Sequence, residues 1–123
     1  MTIGPTKELT AQLSVEIYVS DLKRSLAFYK TLGFSIDRCD DTFAVMRWDE
    51  SYIFLDQRSQ VAPTSDMPVA NVRVVVNHID TLWGQVLAAN MRVLSTLTTQ
   101  TYGLRDFTIA DPDGFGVRFA EII

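Results

Sequence analysis

The chain has 123 residues, 47% of them hydrophobic and 21% charged. At this length roughly two-thirds of the unfolded surface is buried on folding, enough for a core without disulfide or metal staples, and long disorder is excluded. Eleven Lys+Arg against fifteen Asp+Glu leave a net charge of −4, which opposes nucleic-acid binding in the absence of any basic cluster.

Met1 to Leu13 mixes polar and apolar residues and contains no apolar run of signal-peptide length. Nothing later approaches the eighteen or so consecutive apolar residues of a membrane helix, so a cytoplasmic protein without membrane contact is expected. Ser14 to Val19 alternates, with Val15, Ile17 and Val19 on one face and Ser14, Glu16 and Tyr18 on the other. That period of two predicts a half-buried strand. Ser20 is the expected cap of a helix whose stripe is Leu22, Leu26 and Tyr29 and whose stop is Gly33.

Short β-like runs follow at 34–36, 42–47 and 52–55, parted by Asp40-Asp41 and by a turn at 49–51. The single cysteine, Cys39, falls in this region and cannot form an internal disulfide, which suits a reducing compartment. Residues 58–69, with Pro63 and Pro68, read as a linker.

The pattern then starts again. Asn71 to Val76 repeats the first strand's register with Val72, Val74 and Val76 at an offset of 57 residues. Asn77 is the expected cap, Ile79, Trp83 and Val86 the stripe, and Asn90 the stop, 57 residues after Gly33. Gly and Asn are the residues that most readily take the left-handed conformation at a helix end, so the coincidence marks an internal repeat. Arg92 to Ser95 leads through a Thr-rich loop to a strand at 105–110, the turn Asp111-Pro112-Asp113-Gly114, and a strand at 117–120.

The chain is therefore expected to be α+β: one domain over 1–123, made of tandem βαβββ repeats at 13–57 and 70–121. The repeats are expected to build a curved mixed sheet around a concave cleft.

Val19-Ser20-Asp21-Leu22-Lys23-Arg24-Ser25-Leu26-Ala27-Phe28-Tyr29 with Leu32-Gly33-Phe34 opens the first repeat, and Tyr102-Gly103 through Asp111-Pro112-Asp113-Gly114 to Phe119-Ala120-Glu121 closes the second. In these blocks the chain resembles the vicinal oxygen chelate superfamily, which includes glyoxalase I, extradiol dioxygenases and the bleomycin-resistance proteins. In its metalloenzymes a His or Glu near the start of each repeat's first strand, and a Glu or similar ligand on each last strand, hold a divalent metal. Carried across, those positions fall on Ser14, Asn71, Phe54 and Arg118. A ring offers no lone pair and a guanidinium accepts nothing, so no metal and no other cofactor are expected. Glu16 and Asp56 remain as carboxylates, more suited to ion pairs with Arg73 and Arg118 than to coordination.

By strand parity Glu16, Tyr18, Tyr52, Phe54, Arg73 and Arg118 point into the cleft, with Phe43 on the same side and Trp48 and Tyr102 at its rim. Rings beside a few charges suit a planar, amphiphilic ligand or a cationic head group. His78 lies outside the strand face, at the start of the second helix, and reads as a surface or capping-region residue. The turn at 111–114 lacks the later oxygen ligands of a calcium loop. Gly114-Phe115-Gly116 has no strand-to-helix context for a dinucleotide.

The metal-free pattern is most similar to the bleomycin-resistance proteins, which bind a cationic drug in grooves between two subunits. The resemblance implies a homodimer, with the arm before Leu13 exchanged between subunits, that sequesters an aromatic or amphiphilic molecule and serves antibiotic resistance. No catalytic residue follows from it. The alternative is a glyoxalase- or dioxygenase-like enzyme with an altered metal site at Glu16 and Asp56, or a metal-free isomerase or lyase with Glu16 as general base.

Overall fold

The computed structural model describes residues 13–62 and 68–123. The N-terminal arm and Pro63 lie outside the described residues. The chain divides between Gln60 and Val61 into two compact units, each of which repeats β-α-β-β-β. In the first, β1 (Val15–Val19), α1 (Leu22–Leu32), β2 (Ser35–Cys39), β3 (Phe43–Trp48) and β4 (Ser51–Gln57) give a four-stranded sheet in the order β1-β4-β3-β2. In the second, β5 (Asn71–Val75), α2 (Ile79–Ala88), β6 (Val93–Thr99), β7 (Leu104–Ala110) and β8 (Gly116–Ile122) give the order β5-β8-β7-β6. In both, the first and last strands pair in parallel and the others are antiparallel. The two mixed sheets are open rather than closed barrels. Among the described residues no helix is long and apolar enough to cross a membrane.

The duplicated stop signals produce the same end geometry. Gly33 (φ 118°) and Asn90 (φ 55°) are both left-handed. After α1, the amides of Gly33 and Phe34 reach back to the carbonyls of Lys30 (3.0 Å) and Tyr29 (3.1 Å). After α2, those of Asn90 and Met91 reach Leu87 (3.1 Å) and Val86 (3.4 Å). This crossed pair of bonds is the Schellman motif, and in the first unit the Tyr29 and Phe34 rings add its usual apolar contact at 5.4 Å.

The helix starts differ from the expectation. Asp21, not Ser20, caps α1, accepting from the Arg24 amide at 3.3 Å, while the Ser20 hydroxyl accepts from the Arg24 guanidinium. At α2 the cap is His78 rather than Asn77, with φ 59° and no side-chain bond of its own. Here the last strand supplies the acceptors: Glu121 takes the amides of His78 (3.3 Å) and Ile79 (3.1 Å). Gln57, at the same place on β4, takes the Leu22 amide at 2.8 Å. A carboxylate at a helix N-terminus also complements its dipole.

Each sheet buries one face under its helix. Ile17, Val19, Ile53, Leu55, Ala44 and Met46 are buried with Leu22, Tyr29 and Leu32 in the first unit. In the second, Trp83 lies 5.0 Å from Phe107, which stacks on Phe119 at 5.5 Å. The Thr-rich stretch is not a loop: β6 runs to Thr99, because β-branched threonines favour extended backbone. The α1 stripe also differs, since Leu26 is half-buried and Ser25 is fully buried in its place. Among the described residues the Ser25 hydroxyl finds no hydrogen-bond partner. An orphan buried hydroxyl costs stability, so Ser25→Ala is expected to raise the unfolding free energy by about 1 kcal/mol. Urea denaturation checks this, and a loss of stability would show that the hydroxyl is satisfied in solution.

Candidate functional site

The face of the first sheet that α1 leaves uncovered is built rung by rung. Glu16 pairs in register with Phe54, and Phe54 with Val45; Tyr18 pairs with Asp56, and Asp56 with Phe43. Tyr52 sits opposite Arg47, whose guanidinium lies 5.7 Å from the tyrosine ring. Phe43 and Phe54 meet with ring centroids 5.7 Å apart. Five of the anticipated residues, Glu16, Tyr18, Phe43, Tyr52 and Phe54, therefore share this face.

Its charge centre is a residue assigned to the linker. Arg58 donates from Nε (3.0 Å) and Nη2 (2.8 Å) to Asp56, lies 4.0 Å from Glu16, and places its Cζ 4.3 Å from the Tyr18 ring centre. The ring face expected to receive a cationic ligand is thus occupied by the protein's own cation. The signal for Arg58 was its spacing: two residues after Asp56, it continues that strand's parity, and its amide still bonds Val19 at 3.0 Å.

The hydrogen bond with Asp56, burial and the Asp56 charge hold the Glu16 carboxyl above its ordinary value, against the opposing pull of Arg58. Asp56 is lowered, chiefly by the hydrogen bond from Arg58. Of the two neighbouring carboxyls, Glu16 is therefore the weaker acid and Asp56 the stronger. A raised carboxyl binds a proton in the folded state that the unfolded chain releases. Stability associated with Glu16 is therefore present below its ordinary value of 4.5 and falls as pH rises through the folded value. Asp56 acts oppositely, its contribution being present above 3.8 and lost in acid. Glu16→Gln is expected to flatten the decline in stability on the alkaline side of that window, read from denaturation midpoints between about pH 4 and 7. An unchanged slope would dissociate Glu16 from Asp56.

The uncovered face of the second sheet carries the other charges. Arg118 donates from Nε to Asp106 at 3.1 Å, from Nη2 to the same carboxylate oxygen, and from Nη2 to the Tyr102 hydroxyl at 3.0 Å. The Gln100 amide completes the network by donating to Asp106 at 2.9 Å. Burial pushes the Asp106 carboxyl up, but the bonds from Gln100 and Arg118 and the charges of Arg118 and Arg73 outweigh it, leaving it below 3.8. Arg73 is the register partner of Arg118 on the neighbouring strand. Asp106 and Gln100 escaped sequence reasoning. Asp106 was legible in principle as an acidic residue at an open-face position of a predicted strand.

Within its own unit, Glu16 pairs with Arg58 and Arg118 pairs with Asp106. In each case the partner comes from the same sheet. Trp48, expected at the rim, alternates onto the helix side of β3 and packs on Phe34 at 5.1 Å. Cys39 is exposed on β2. The 111–114 segment is the tight turn expected: the buried Asp111 carboxylate accepts from the amides of Asp113 (2.9 Å) and Phe115 (2.8 Å), occupying the oxygen that a calcium ion would need.

The four positions where the metalloenzymes hold their ion do not fit one here. Phe54 is stacked on Phe43, and Arg118 is a cation bound to Asp106. Ser14 and Asn71 offer only neutral oxygens. Among the described residues no group of three or more His, Cys, Asp or Glu is placed to hold an ion.

The profile of the Glyoxalase/Bleomycin resistance protein/Dioxygenase superfamily matches residues 11–119. Among solved structures, a hypothetical protein from S. aureus is 23% identical, with 93% of this chain and 95% of that one covered and a TM-score of 0.75. A bleomycin resistance determinant encoded on the transposon Tn5 is 17% identical, covering 90% of this chain and 97% of that chain with a TM-score of 0.74. A bleomycin-binding protein solved in complex with bleomycin is 16% identical, covering 91% and 98%, with a TM-score of 0.71. At these identities the likeness is one of fold. No curated protein sequence matches the chain.

Proposed function

The chain belongs to the glyoxalase/bleomycin resistance protein/dioxygenase superfamily, and we propose that it is a metal-independent member that binds and sequesters an aromatic or amphiphilic small molecule. The reading rests on one observation: a stacked phenylalanine and a paired arginine stand where the family's catalytic ion would need donors. Ligand contacts are assigned to Glu16, Tyr18, Phe43, Tyr52 and Phe54 on the first open face, and to Arg73, Tyr102 and Arg118 on the second. Trp48 is left out because its ring packs on the helix side. Exposed and half-buried rings beside a few fixed charges supply stacking area and directional anchors, the combination an amphiphilic ligand needs. As in the bleomycin-resistance group, the working form proposed is a cytoplasmic homodimer, and the proposed role is protection against a toxic compound, an antibiotic among them.

The opposing reading is an enzyme with a metal bound at Glu16 and Asp56. Against it, Arg58 already satisfies Asp56 and brings a positive charge to the place an ion would take. A thermal-shift panel of divalent metals and of aromatic compounds separates the two, since a ligand that binds the native state raises its melting temperature by mass action. The expected result is a shift from aromatic compounds that a chelator leaves intact and that Phe43→Ala weakens by about tenfold in affinity. Binding that requires added metal would overturn the proposal.

A further inference from the structure

The second open face has a charge with no ion-pair partner of its own among the described residues. Arg73 and Arg118 are direct register partners on β5 and β8, an arrangement in which like charges repel. Arg118 is neutralised by Asp106 and held at its far end by the Tyr102 hydroxyl. Arg73 is exposed and makes no hydrogen bond or ion pair among the described residues. One carboxylate thus faces two guanidiniums, and the surplus is one positive charge at a fixed place.

Apolar surface adjoins it. Val75 lies two residues from Arg73 on the same side of β5 and is 54% exposed. Ile122, four residues beyond Arg118 on the same side of β8, is 71% exposed, and the Tyr102 ring is 63% exposed with its hydroxyl pinned. The first sheet offers no equivalent: Arg58 is committed to Asp56 and covers Tyr18, and Arg47 pairs with Asp37 and Glu50.

We infer that Arg73, beside the anchored Arg118, is an anion-recognition site, and that the ligand is a small organic anion whose apolar body lies on Val75, Ile122 and Tyr102. The inference rests on the sequestering function proposed above and adds the ligand's charge to it. A guanidinium suits this task because its fork matches a carboxylate's two oxygens and it stays charged at every physiological pH. The Arg118–Asp106 pair keeps the neighbouring guanidinium in place, so the incoming anion has only Arg73 to order.

The test compares three probes of one shape, 3-phenylpropionate, its neutral amide and 3-phenylpropylammonium, titrated into the full chain by NMR chemical-shift mapping at low ionic strength. The carboxylate is expected to bind about tenfold more tightly than the amide, the ammonium most weakly, and added salt to erase the difference. Arg73→Gln is expected to bring the carboxylate down to the amide's affinity, and Arg73→Lys to retain part of the preference. Arg73 is exposed, and an unchanged circular dichroism spectrum verifies that each variant folds. Equal affinity of carboxylate and amide, or a preference that survives Arg73→Gln, overturns the anion site while leaving the sequestering reading intact. Failure of all three probes to bind counts against both.

Discussion

Asp106→Ala is expected to lower the unfolding free energy by about 3 kcal/mol, and the melting temperature by about 10 °C. Asp106 is 4% exposed, and its two oxygens accept from Gln100 and from Arg118. Removing the carboxylate strands a guanidinium whose side chain is only 24% exposed, next to the uncompensated charge of Arg73. The cost lies mainly in the orphaned cation rather than in the lost attraction, because a buried pair replaced whole by apolar groups is often no less stable. The double variant Asp106→Ala with Arg118→Met is therefore expected to recover much of the loss. Asp106→Asn, which keeps the shape and one acceptor oxygen, should fall between the wild type and Asp106→Ala. Guanidinium denaturation of the four proteins reads all these values. A loss below about 1 kcal/mol for Asp106→Ala would show that solvent already screens the pair.

Gly33→Ala carries the second large effect, expected at about 2–3 kcal/mol. A left-handed backbone costs an L-residue about 1–2 kcal/mol, and φ at Gly33 is 118°, beyond even the usual left-handed region. A Cβ there would also stand 3.1 Å from Cζ3 of Trp48, closer than ordinary van der Waals contact. That ring is held against Phe34, so relief would disturb the apolar contact that closes the helix end. The repeat provides the control. Asn90 occupies the same Schellman position with φ 55°, and Asn90→Gly is expected to be neutral or stabilising by a few tenths of a kcal/mol. Thermal melts of the two variants check the pair; similar destabilisation by both would break the equivalence of the two helix ends.

The contrast between these residues explains what could be read from the chain without coordinates. Gly33 and Asn90 act locally, through a backbone conformation that few residues tolerate, so their common offset exposed the duplication and with it the β-α-β-β-β succession of each unit. Strand alternation likewise placed Glu16, Tyr18, Phe43, Tyr52 and Phe54 on one face. Pairing partners were harder. Arg118 takes Asp106, one rung along on the adjoining strand, a partner the sequence reading did not name. Which of several carboxylates an arginine takes depends on register and on a reach of a few ångström, neither of which periodicity encodes. Trp48 shows the same limit, since a residue at a strand end is placed by one step of parity. At α2 the cap moved because its acceptor came from the far end of the unit, Glu121, whereas at α1 the neighbouring Asp21 took the place of Ser20 and Gln57 accepted a further amide.

The two open faces also share a logic. At the rung where Glu16 meets Phe54 in the first unit, the second has Arg73 beside Arg118. Each sheet then forms an ion pair from its own residues, Arg58 with Asp56 and Asp106 with Arg118. Such pairs leave the carboxylates committed to guanidiniums instead of to an ion, and they leave Arg73 over.

Calorimetric titration of the dialysed protein with an aromatic carboxylate, run with and without a strong chelator and paired with elemental analysis of the same sample, bears on this most directly. Saturable binding with the same affinity in both buffers, on protein free of stoichiometric metal, is the predicted result. Binding that vanishes with the chelator and returns with zinc, nickel or iron would contradict it.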